Sequence, residues 1–398
     1  MHSLRSLSLS TITIALTSLL FIASAPPLHA DAYDSPLCCP PSISLLDGLS
    51  AHIDFLWWRA EEEDLSIGKE VTIERTGLNR STNNYTLLSK KSNEKHLNFD
   101  YDPGFRLGLY YTVPGYCWDM SLAWTHFQNT ASAHGKSDLV PEGSTRNKYR
   151  AFVPFWESLT QNFPLHSKAK WTLDLDWLDL DVGHQYEIAT HFSCRPFFGL
   201  RMANIDQSYH VNSKNRITGN FNGNSYEYVS KSKAKCDFLG VGPRLGVDAQ
   251  LDIGCGLSFF GQGAVSILFG KFDRHAHEHF ENEDFYYYQF RNYTDDVHSK
   301  WGWSSRVSTD LAIGLAWEHC FEVCQHTYPF TLAVSWEHHV FYNFNNFNFE
   351  SNSFMADGFT NTATHGLDFG PYANLFPTNK RHGDLYTQGL TFTAGIGF

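Results

Sequence analysis

The sequence Leu385-Tyr-Thr-Gln-Gly-Leu-Thr-Phe-Thr-Ala-Gly-Ile-Gly-Phe398 ends the chain and alternates between apolar and small or polar residues. Successive side chains of a β-strand point to opposite faces, so one face of this segment is apolar. That face carries Tyr386, Leu390, Phe392, Ala394, Ile396 and Phe398, and Gln388 is its one polar residue. The pattern is typical of the strand that closes a β-barrel in a bacterial outer membrane. In such proteins the terminal aromatic residue is read by the barrel-assembly machinery, so Phe398 is the predicted assembly signal.

The beginning of the chain indicates export. Residues 1–30 contain one basic residue, Arg5, a short apolar centre and a small-residue end at Ala30, which together predict a signal peptide. Residues 31–50 are predicted to be a mobile N-terminal segment, and residues 51–398 a single barrel domain.

Composition restricts the class of protein further. No later stretch reaches the about 20 apolar residues of a membrane helix, and the mean hydropathy of −0.32 resembles that of a soluble protein. A barrel is compatible with this value because only alternate residues face lipid. The 16% aromatic content suits interfacial girdles. A formal charge of −12 argues against nucleic acid as a partner, since binding it requires a basic face.

Amphipathic runs alternate with long polar stretches along the chain. In a compact soluble domain, structureless loops of this length would be unusual, whereas membrane barrels have short periplasmic turns and long extracellular loops. We therefore expect an all-β, transmembrane antiparallel β-barrel with about 12 strands, in a range of about 10 to 16. The predicted loops are Glu61–His96, Gln128–Lys170, Asp206–Lys235, Gly270–Ser305 and Asn343–Asp384.

One run changes its alternation. Trp171, Leu173, Leu175 and Trp177 form an apolar set with Asp174 and Asp176 between them, and after Leu178 the apolar set is Leu178, Leu180 and Val182. A bulge or tight turn at Trp177-Leu178 would produce this change of phase.

Several motifs in order resemble one family. The chain contains, in this order, Phe55-Leu-Trp-Trp-Arg59, Phe99-Asp-Tyr-Asp-Pro-Gly-Phe-Arg-Leu-Gly-Leu-Tyr110, Leu173-Asp-Leu-Asp176, Pro196-Phe-Phe-Gly-Leu-Arg201, Gly240-Val-Gly-Pro-Arg-Leu-Gly-Val-Asp248 and Gly389-Leu-Thr-Phe-Thr-Ala-Gly-Ile-Gly-Phe398. Together they resemble the Legionella-type major outer membrane protein family, which also occurs in environmental chlamydiae. The resemblance implies a pore-forming barrel in the bacterial outer membrane, in contact with its lipids.

The face opposite the apolar one is predicted to line a water-filled lumen. A porin needs such polar groups because ions and small hydrophilic solutes must keep hydrogen-bonding partners while they cross. Paired charges that only hold the barrel wall together are the alternative. The candidate pore-lining residues are Arg106, Asp119, Asp174, Asp176, Arg201, Arg244, Asp248, Glu318 and Glu337.

Tryptophan and histidine residues carry two further hypotheses. Candidates for interfacial girdles, as opposed to packed core residues, are Trp57, Trp58, Trp118, Trp124, Trp317 and Trp336. The sequence His275-Ala-His-Glu-His279 resembles a metal-binding cluster, but its polar surroundings favour a solvated loop tip, so we predict no metal site.

Cysteines and the remaining motifs leave the function open. An even count of eight cysteines in an exported chain suggests disulfides, with Cys38, Cys39, Cys320 and Cys324 as candidates. The resemblance to proteins of chlamydia-like bacteria implies that the first two cross-link to neighbouring proteins, and the last two would close a local loop. Free or internally paired cysteines are the alternative. We find no nucleotide-binding loop or catalytic triad, and therefore expect neither an enzyme nor a cofactor. A barrel enzyme with an active site at the outer rim is a third class of function that the sequence leaves open. The leading prediction is a passive porin, with a homo-oligomer as a further assembly. The alternative is an adhesin, binding through Asn343–Phe354, or a disulfide-linked structural envelope protein.

Overall fold

The computed structural model describes residues 48–79, 84–138, 148–155, 164–218, 225–282, 293–323, 326–345, 347 and 383–398. The predicted signal peptide 1–30, residues 31–47 of the predicted N-terminal segment, and Cys38, Cys39 and Cys324 lie outside them. Within the described residues, no helix is long and apolar enough to cross a membrane.

The described secondary structure consists of fifteen strands, numbered in chain order. Their bounds are β1 Leu49–Glu62, β2 Ser66–Asn79, β3 Asn84–His96, β4 Asn98–Phe99, β5 Asp102–Thr112, β6 Trp118–Lys136, β7 Lys148–Pro154, β8 His166–His184, β9 Tyr186–Ala189, β10 Phe192–Thr218, β11 Ser225–Gly254, β12 Leu257–Asn282, β13 Tyr293–Val323, β14 His326–Phe341 and β15 Leu385–Gly397.

Ten of these strands close into an antiparallel barrel, so the predicted fold class is confirmed. The order around the barrel is β1, β5, β6, β8, β10, β11, β12, β13, β14 and β15, and β15 returns to β1. In the closing pair Phe55 lies opposite Phe392, and the Phe398 N–H donates to the Leu49 carbonyl at 2.8 Å. The short strands β4 and β9 extend the sheet to twelve strands, while β2, β3 and β7 form a separate sheet.

One end of the barrel has tight connections. β11 ends at Gly254 and β12 begins at Leu257. The turn between them holds Gly254, Cys255 and Gly256 at φ angles of 112°, 57° and 77°, a region that favours glycine. We call this the short-turn end, and it also contains Leu49 and Phe398, where the barrel begins and closes.

A belt of exposed apolar side chains surrounds the barrel next to the short-turn end. Water-soluble proteins rarely expose a contiguous apolar surface of this kind, so the belt is the surface that meets lipid. Trp57, Trp118, Trp124, Trp317 and Trp336 lie on this outer face, whereas Trp58 is buried inside the barrel, which corrects its assignment to a girdle. Exposed members of the belt include Ile53, Phe55, Leu107, Leu109, Leu122, Leu180, Leu200, Leu245, Ile313, Leu332 and Phe392.

β8 shows why the alternation changes phase along the sequence. Its register with β6 and β10 is continuous, so the predicted bulge at Trp177-Leu178 is absent. Trp171 and Trp177 point inward, and so do Asp179 and Asp181 further along the strand. Each face of β8 keeps its direction along the whole strand. At the edge of the belt, however, the apolar residues change from the outer face to the inner face. Beyond it, the outer face meets water and is polar, and the inner face packs an apolar core.

Four neighbouring strands are much longer than the belt. A membrane-spanning strand needs about 9–11 residues, whereas β10, β11, β12 and β13 contain 27, 30, 26 and 31. The segments Asp206–Lys235 and Gly270–Ser305, predicted to be loops, are therefore largely strands that project beyond the lipid. Their polar outer residues resemble loop sequence because that face is solvated.

Substitution on the outer face of β10 tests the belt. Leu200→Arg places a charge in the lipid belt and should lower the free energy of unfolding by about 2–4 kcal/mol. Asn212→Arg, on the same face of the same strand but beyond the belt, should cost about 0–1 kcal/mol. Urea unfolding in phospholipid vesicles, followed by tryptophan fluorescence, measures both. Equal losses would show that the apolar surface does not face lipid.

Candidate functional site

A connected network of charged side chains crosses the barrel interior at the level of the belt. We call it the charged septum. The strands that supply it are β1, β5, β8, β10, β11, β13 and β14, so it links opposite walls of the barrel. Its members are Asp54, Arg106, Asp179, Asp181, Arg201, Arg244, Asp310, Glu337 and His339.

Arg106 organises one side of the septum. Its Nη1 donates to Asp54 Oδ2 at 3.1 Å, and its Nη2 donates to Glu337 Oε2 at 2.8 Å. Its Nε donates to Thr125 Oγ1 at 3.0 Å. One guanidinium therefore joins strands β1, β5, β6 and β14 with charge-assisted hydrogen bonds, which are among the stronger ones in proteins.

Arg201 and Arg244 organise the other side. Arg201 binds Asp179 through two parallel contacts, Nε to Oδ1 at 2.6 Å and Nη2 to Oδ2 at 2.7 Å. Its Nη1 reaches Asp310 Oδ1 at 3.0 Å. Arg244 also donates to Asp310, and its Nε donates to Asp181 Oδ2 at 3.3 Å. The side chain of Arg201 is only 1% exposed, so its charge depends on these partners.

His339 connects the two sides. Its Nδ1 lies 2.8 Å from Asp310 Oδ1 and its Nε2 lies 3.2 Å from Glu337 Oε2. An ionised carboxylate only accepts hydrogen bonds, so a ring with a carboxylate at each nitrogen favours the doubly protonated imidazolium. His339 thereby completes an unbroken chain of contacts from Asp54 to Asp181.

A second charged group lies nearer the short-turn end. Arg195 donates to Asp119 on β6 and, through Nη1 at 2.6 Å, to Asp248 Oδ2 on β11. Gln262 on β12 donates to the other oxygen of Asp248 at 2.8 Å. The guanidinium also stacks over the rings of Tyr110 and Phe197, at 5.3 and 5.4 Å from their centroids. The hydrogen bonds of this group join β6, β10, β11 and β12 between the septum and the short-turn end.

Aromatic side chains fill the barrel interior on the side of the septum away from the short-turn end. We call them the aromatic plug. Trp58 stacks on Trp177 with ring centroids 5.9 Å apart, and the Trp58 indole N–H donates to Thr391. Phe344 packs on Phe238 at 4.9 Å. The members are Trp58, Phe127, Trp171, Trp177, Phe238, Phe272, Phe341, Phe344 and Phe347, and each is no more than 2% exposed.

Part of the plug comes from the segment predicted as an adhesive loop. Phe344, Asn345 and Phe347 follow β14 and are buried. The Asn345 amide donates to the Glu63 carbonyl at 2.5 Å and so ties this segment to the end of β1. The described part of Asn343–Phe354 therefore fills the barrel, with only Asn343 exposed, and the rest lies outside the described residues.

The structure distributes the predicted pore-lining residues over both faces. Arg106, Arg201, Arg244 and Glu337 lie in the septum, and Asp119 and Asp248 lie in the group below it. Glu318 continues the inner row of β13 and is exposed near the short-turn end.

Asp174 and Asp176 lie on the outer face, which corrects their assignment to the lumen. Because the phase of β8 does not slip, the inward carboxylates of that strand are Asp179 and Asp181. Sequence reasoning also missed Asp54, Arg195, Asp310 and His339. Alternation from Arg201 would have found Arg195, and alternation from Glu337 would have found His339.

Just beyond the belt, His126, Asp174 and Asp176 bring three metal-type donors together on the outer face. Hydrogen bonds already account for this arrangement. Asp176 Oδ1 accepts from Trp124 at 3.1 Å and lies 2.9 Å from His126 Nδ1, and Asp174 accepts from Gln128 at 3.0 Å. Asp206 on β10 lies opposite Asp174, and burial together with the neighbouring Asp174 and Asp176 carboxylates raises its pKa.

The cysteine predictions stay untested. Cys117, Cys194 and Cys255 form no disulfide within the described residues. Cys320 lies on β13 opposite Pro329, and Cys38, Cys39 and Cys324 are outside the described part of the chain.

Comparison with known proteins supports the resemblance found in the motifs. A family model described as "Legionella pneumophila major outer membrane protein precursor" matches residues 46–378. The predicted resemblance is confirmed by this match, and so is the predicted location in the bacterial outer membrane. None of the curated proteins matches the chain.

Solved structures that resemble this chain include those of a protease, a FadL homologue and a toluene transporter. The outer membrane protease OmpT from Escherichia coli matches with a TM-score of 0.32 at 10% identity, over 90% of this chain and 98% of that one. A Pseudomonas aeruginosa FadL homologue matches at 0.22 and 7%, over 88% and 90%. The P. putida toluene transporter TodX matches at 0.21 and 6%, over 88% and 90%.

The first of these structures contradicts the prediction that the protein is not an enzyme. A protease is among the proteins whose structures match, so that exclusion is withdrawn. A likeness at 10% identity gives this chain no proteolytic activity of its own.

Removing the Arg201 guanidinium tests whether the septum stabilises the folded barrel. Arg201→Ala removes the bidentate partner of the buried Asp179 and one of the three partners of Asp310, and should lower the free energy of unfolding by about 3–5 kcal/mol. Arg59→Ala removes a partly exposed arginine, 31% accessible, that pairs with Glu61, and should cost about 0–1 kcal/mol. Urea unfolding in vesicles compares the two variants. A loss for Arg201→Ala no larger than for Arg59→Ala would contradict a structural role for the septum.

Proposed function

We propose that this chain, which belongs to the Legionella major outer membrane protein family, forms a narrow, cation-preferring pore through the outer membrane. The observation that carries the proposal is the concentration of charged side chains inside the barrel at the height of the lipid belt. The outer face at that height is apolar, so these charges can be hydrated only from within the barrel.

Polar atoms inside the barrel support a hydrated interior. The hydroxyls of Ser258, Ser266 and Ser308 are buried on the inner face and have no hydrogen-bond partner among the described residues. One carboxylate oxygen of Asp181 in the septum is in the same situation. Buried polar groups are normally hydrogen-bonded, so water is their expected partner. Hydration of this side of the interior is what ion passage requires.

Small inner residues leave room for that water. The inner faces of β12, β13 and β15 near the short-turn end carry Ala264, Ala312, Ala316, Gly395 and Gly397. Large side chains are concentrated in the septum, the aromatic plug and the group around Arg195. A vestibule that opens at the short-turn end and narrows at the septum fits this distribution.

The charge balance of the septum and of the group around Arg195 supports a preference for cations. Arg106, Arg195, Arg201, Arg244 and His339 give five cationic groups, which face seven carboxylates. The carboxylates belong to Asp54, Asp119, Asp179, Asp181, Asp248, Asp310 and Glu337. Two formal negative charges therefore remain, and an enclosed excess of one sign concentrates the opposite ion.

The size of the septum side chains argues for small solutes. Nine residues meet across the lumen in direct contact, and the plug lies immediately above them. Ions and water need only small displacements of these side chains, whereas sugars would require the septum to separate. The proposed pore therefore passes a smaller range of solutes than a porin for general diffusion of hydrophilic molecules.

Planar-bilayer recording tests the proposal with a matched pair on β8. The refolded protein should give stepwise currents, with a reversal potential of cation sign in a salt gradient. Asp181→Asn removes one of the two excess negative charges and should move the reversal potential toward zero. Asp176→Asn, on the outer face of the same strand, should leave it unchanged.

A purely structural barrel is the second candidate function, favoured by the bidentate pairing of Arg201 with Asp179. Correctly folded protein, judged by its resistance to SDS before heating, that carries no current would support this candidate and overturn the pore. Equal shifts for Asp181→Asn and Asp176→Asn would overturn the assignment of selectivity to the septum.

A further inference from the structure

The histidine-rich segment lies on a strand, which corrects the prediction of a loop tip. His275 and His277 are on β12, and both point to the outer face beyond the belt. In the register with β13, His275 lies opposite His298 and His277 lies opposite Asp296. Directly opposed residues have Cβ atoms about 4.5–5.5 Å apart. Three imidazoles and one carboxylate therefore form the corners of one compact array.

The distances within this array are short. Asp296 Oδ1 lies 2.5 Å from His277 Nδ1 and 3.7 Å from His275 Nε2. The rings of His275 and His298 have centroids 5.9 Å apart. A metal held by nitrogen and oxygen at about 2.0–2.2 Å with tetrahedral angles separates its ligand atoms by about 3.3 Å. The observed distances to Asp296 lie on both sides of that value.

We propose that His275, His277, Asp296 and His298 form a site for Zn²⁺ on the outer face of the projecting β12–β13 hairpin. Three imidazole nitrogens and one carboxylate oxygen are a complete tetrahedral ligand set for this ion. The proposal rests on the register and the side-chain distances of this strand pair and does not depend on the pore.

A neighbouring carboxylate orients one of the ligands. His298 Nε2 lies 2.9 Å from Asp273 Oδ1, which leaves the Nδ1 of the same ring for the metal. Carboxylates that hold the second nitrogen of a ligating histidine are typical of zinc sites. Asp273 is thus the positioning residue of the site.

The surrounding charges place the ion on the β13 side of His275 and His277. On β11, Lys235 lies opposite His275 and Lys233 lies opposite His277. Their positive charges disfavour a cation on that side. Asp296 and Asp273 supply negative charge on the other side. The four ligand side chains are between 37% and 58% exposed, so they can rotate to close around an ion.

Zinc titration of the refolded protein tests the site. Isothermal calorimetry with zinc chloride in detergent micelles should show one saturable site per chain. The double variant His275→Gln/His277→Gln should lose affinity by at least about tenfold. The control His134→Gln/His210→Gln removes two exposed histidines from the outer face of β6 and β10 and should bind as the unmodified protein does.

Cobalt provides a second measurement that does not depend on a variant. Co²⁺ bound by the unmodified protein should give the intense visible absorption of a tetrahedral site, and added Zn²⁺ should abolish it. Absence of saturable zinc binding would overturn the proposal. Equal affinity losses in the two double variants, or only the weak absorption of six-coordinate cobalt, would also overturn it.

Discussion

The limited height of the lipid belt determines the chemistry of every strand in the barrel. Most of the barrel strands project well past the lipid and so pass through two environments. Within the belt the outer face meets hydrocarbon and the inner face holds charge. Beyond the belt the outer face meets water and carries polar side chains. The inner faces of the strands bury one another there, so apolar side chains are more stable than polar ones at those positions. One boundary therefore explains the septum, the aromatic plug and the polar outer surface of the projecting strands.

This boundary also explains what the sequence could and could not reveal. The alternation in Leu385–Phe398 predicted the closing strand correctly, because β15 lies almost entirely beside lipid and its environment does not change. β8 crosses the boundary. Period-two alternation identifies two faces but not which one is inside, so Asp174 was assigned inward on the assumption that apolar residues face lipid. At Trp177-Leu178 the apolar residues change from one face to the other. This change produced the same sequence pattern as a bulge, although the register is continuous.

The septum was predictable only in part, for a reason of topology. Alternation found Arg106, Arg201, Arg244 and Glu337, but their partners depend on which strands face each other across the lumen. Arg106 and Glu337 are 231 positions apart in the chain. No local pattern determines that contact, because it results from closure of the barrel and from the height of each residue on its strand. Sequence reasoning gave the face of each residue, whereas closure brought the residues together.

His339 physically joins the septum to the plug. Its imidazole holds Asp310 and Glu337, and its ring centroid lies 4.8 Å from that of Trp58 and 5.1 Å from that of Trp177. Arg201 lies over the Trp177 ring at 5.1 Å, and Arg106 lies over the Trp58 ring at 5.5 Å. A movement of either tryptophan therefore changes the packing around the cations that neutralise the septum. These contacts couple the packing of the plug to the charge pairing of the septum.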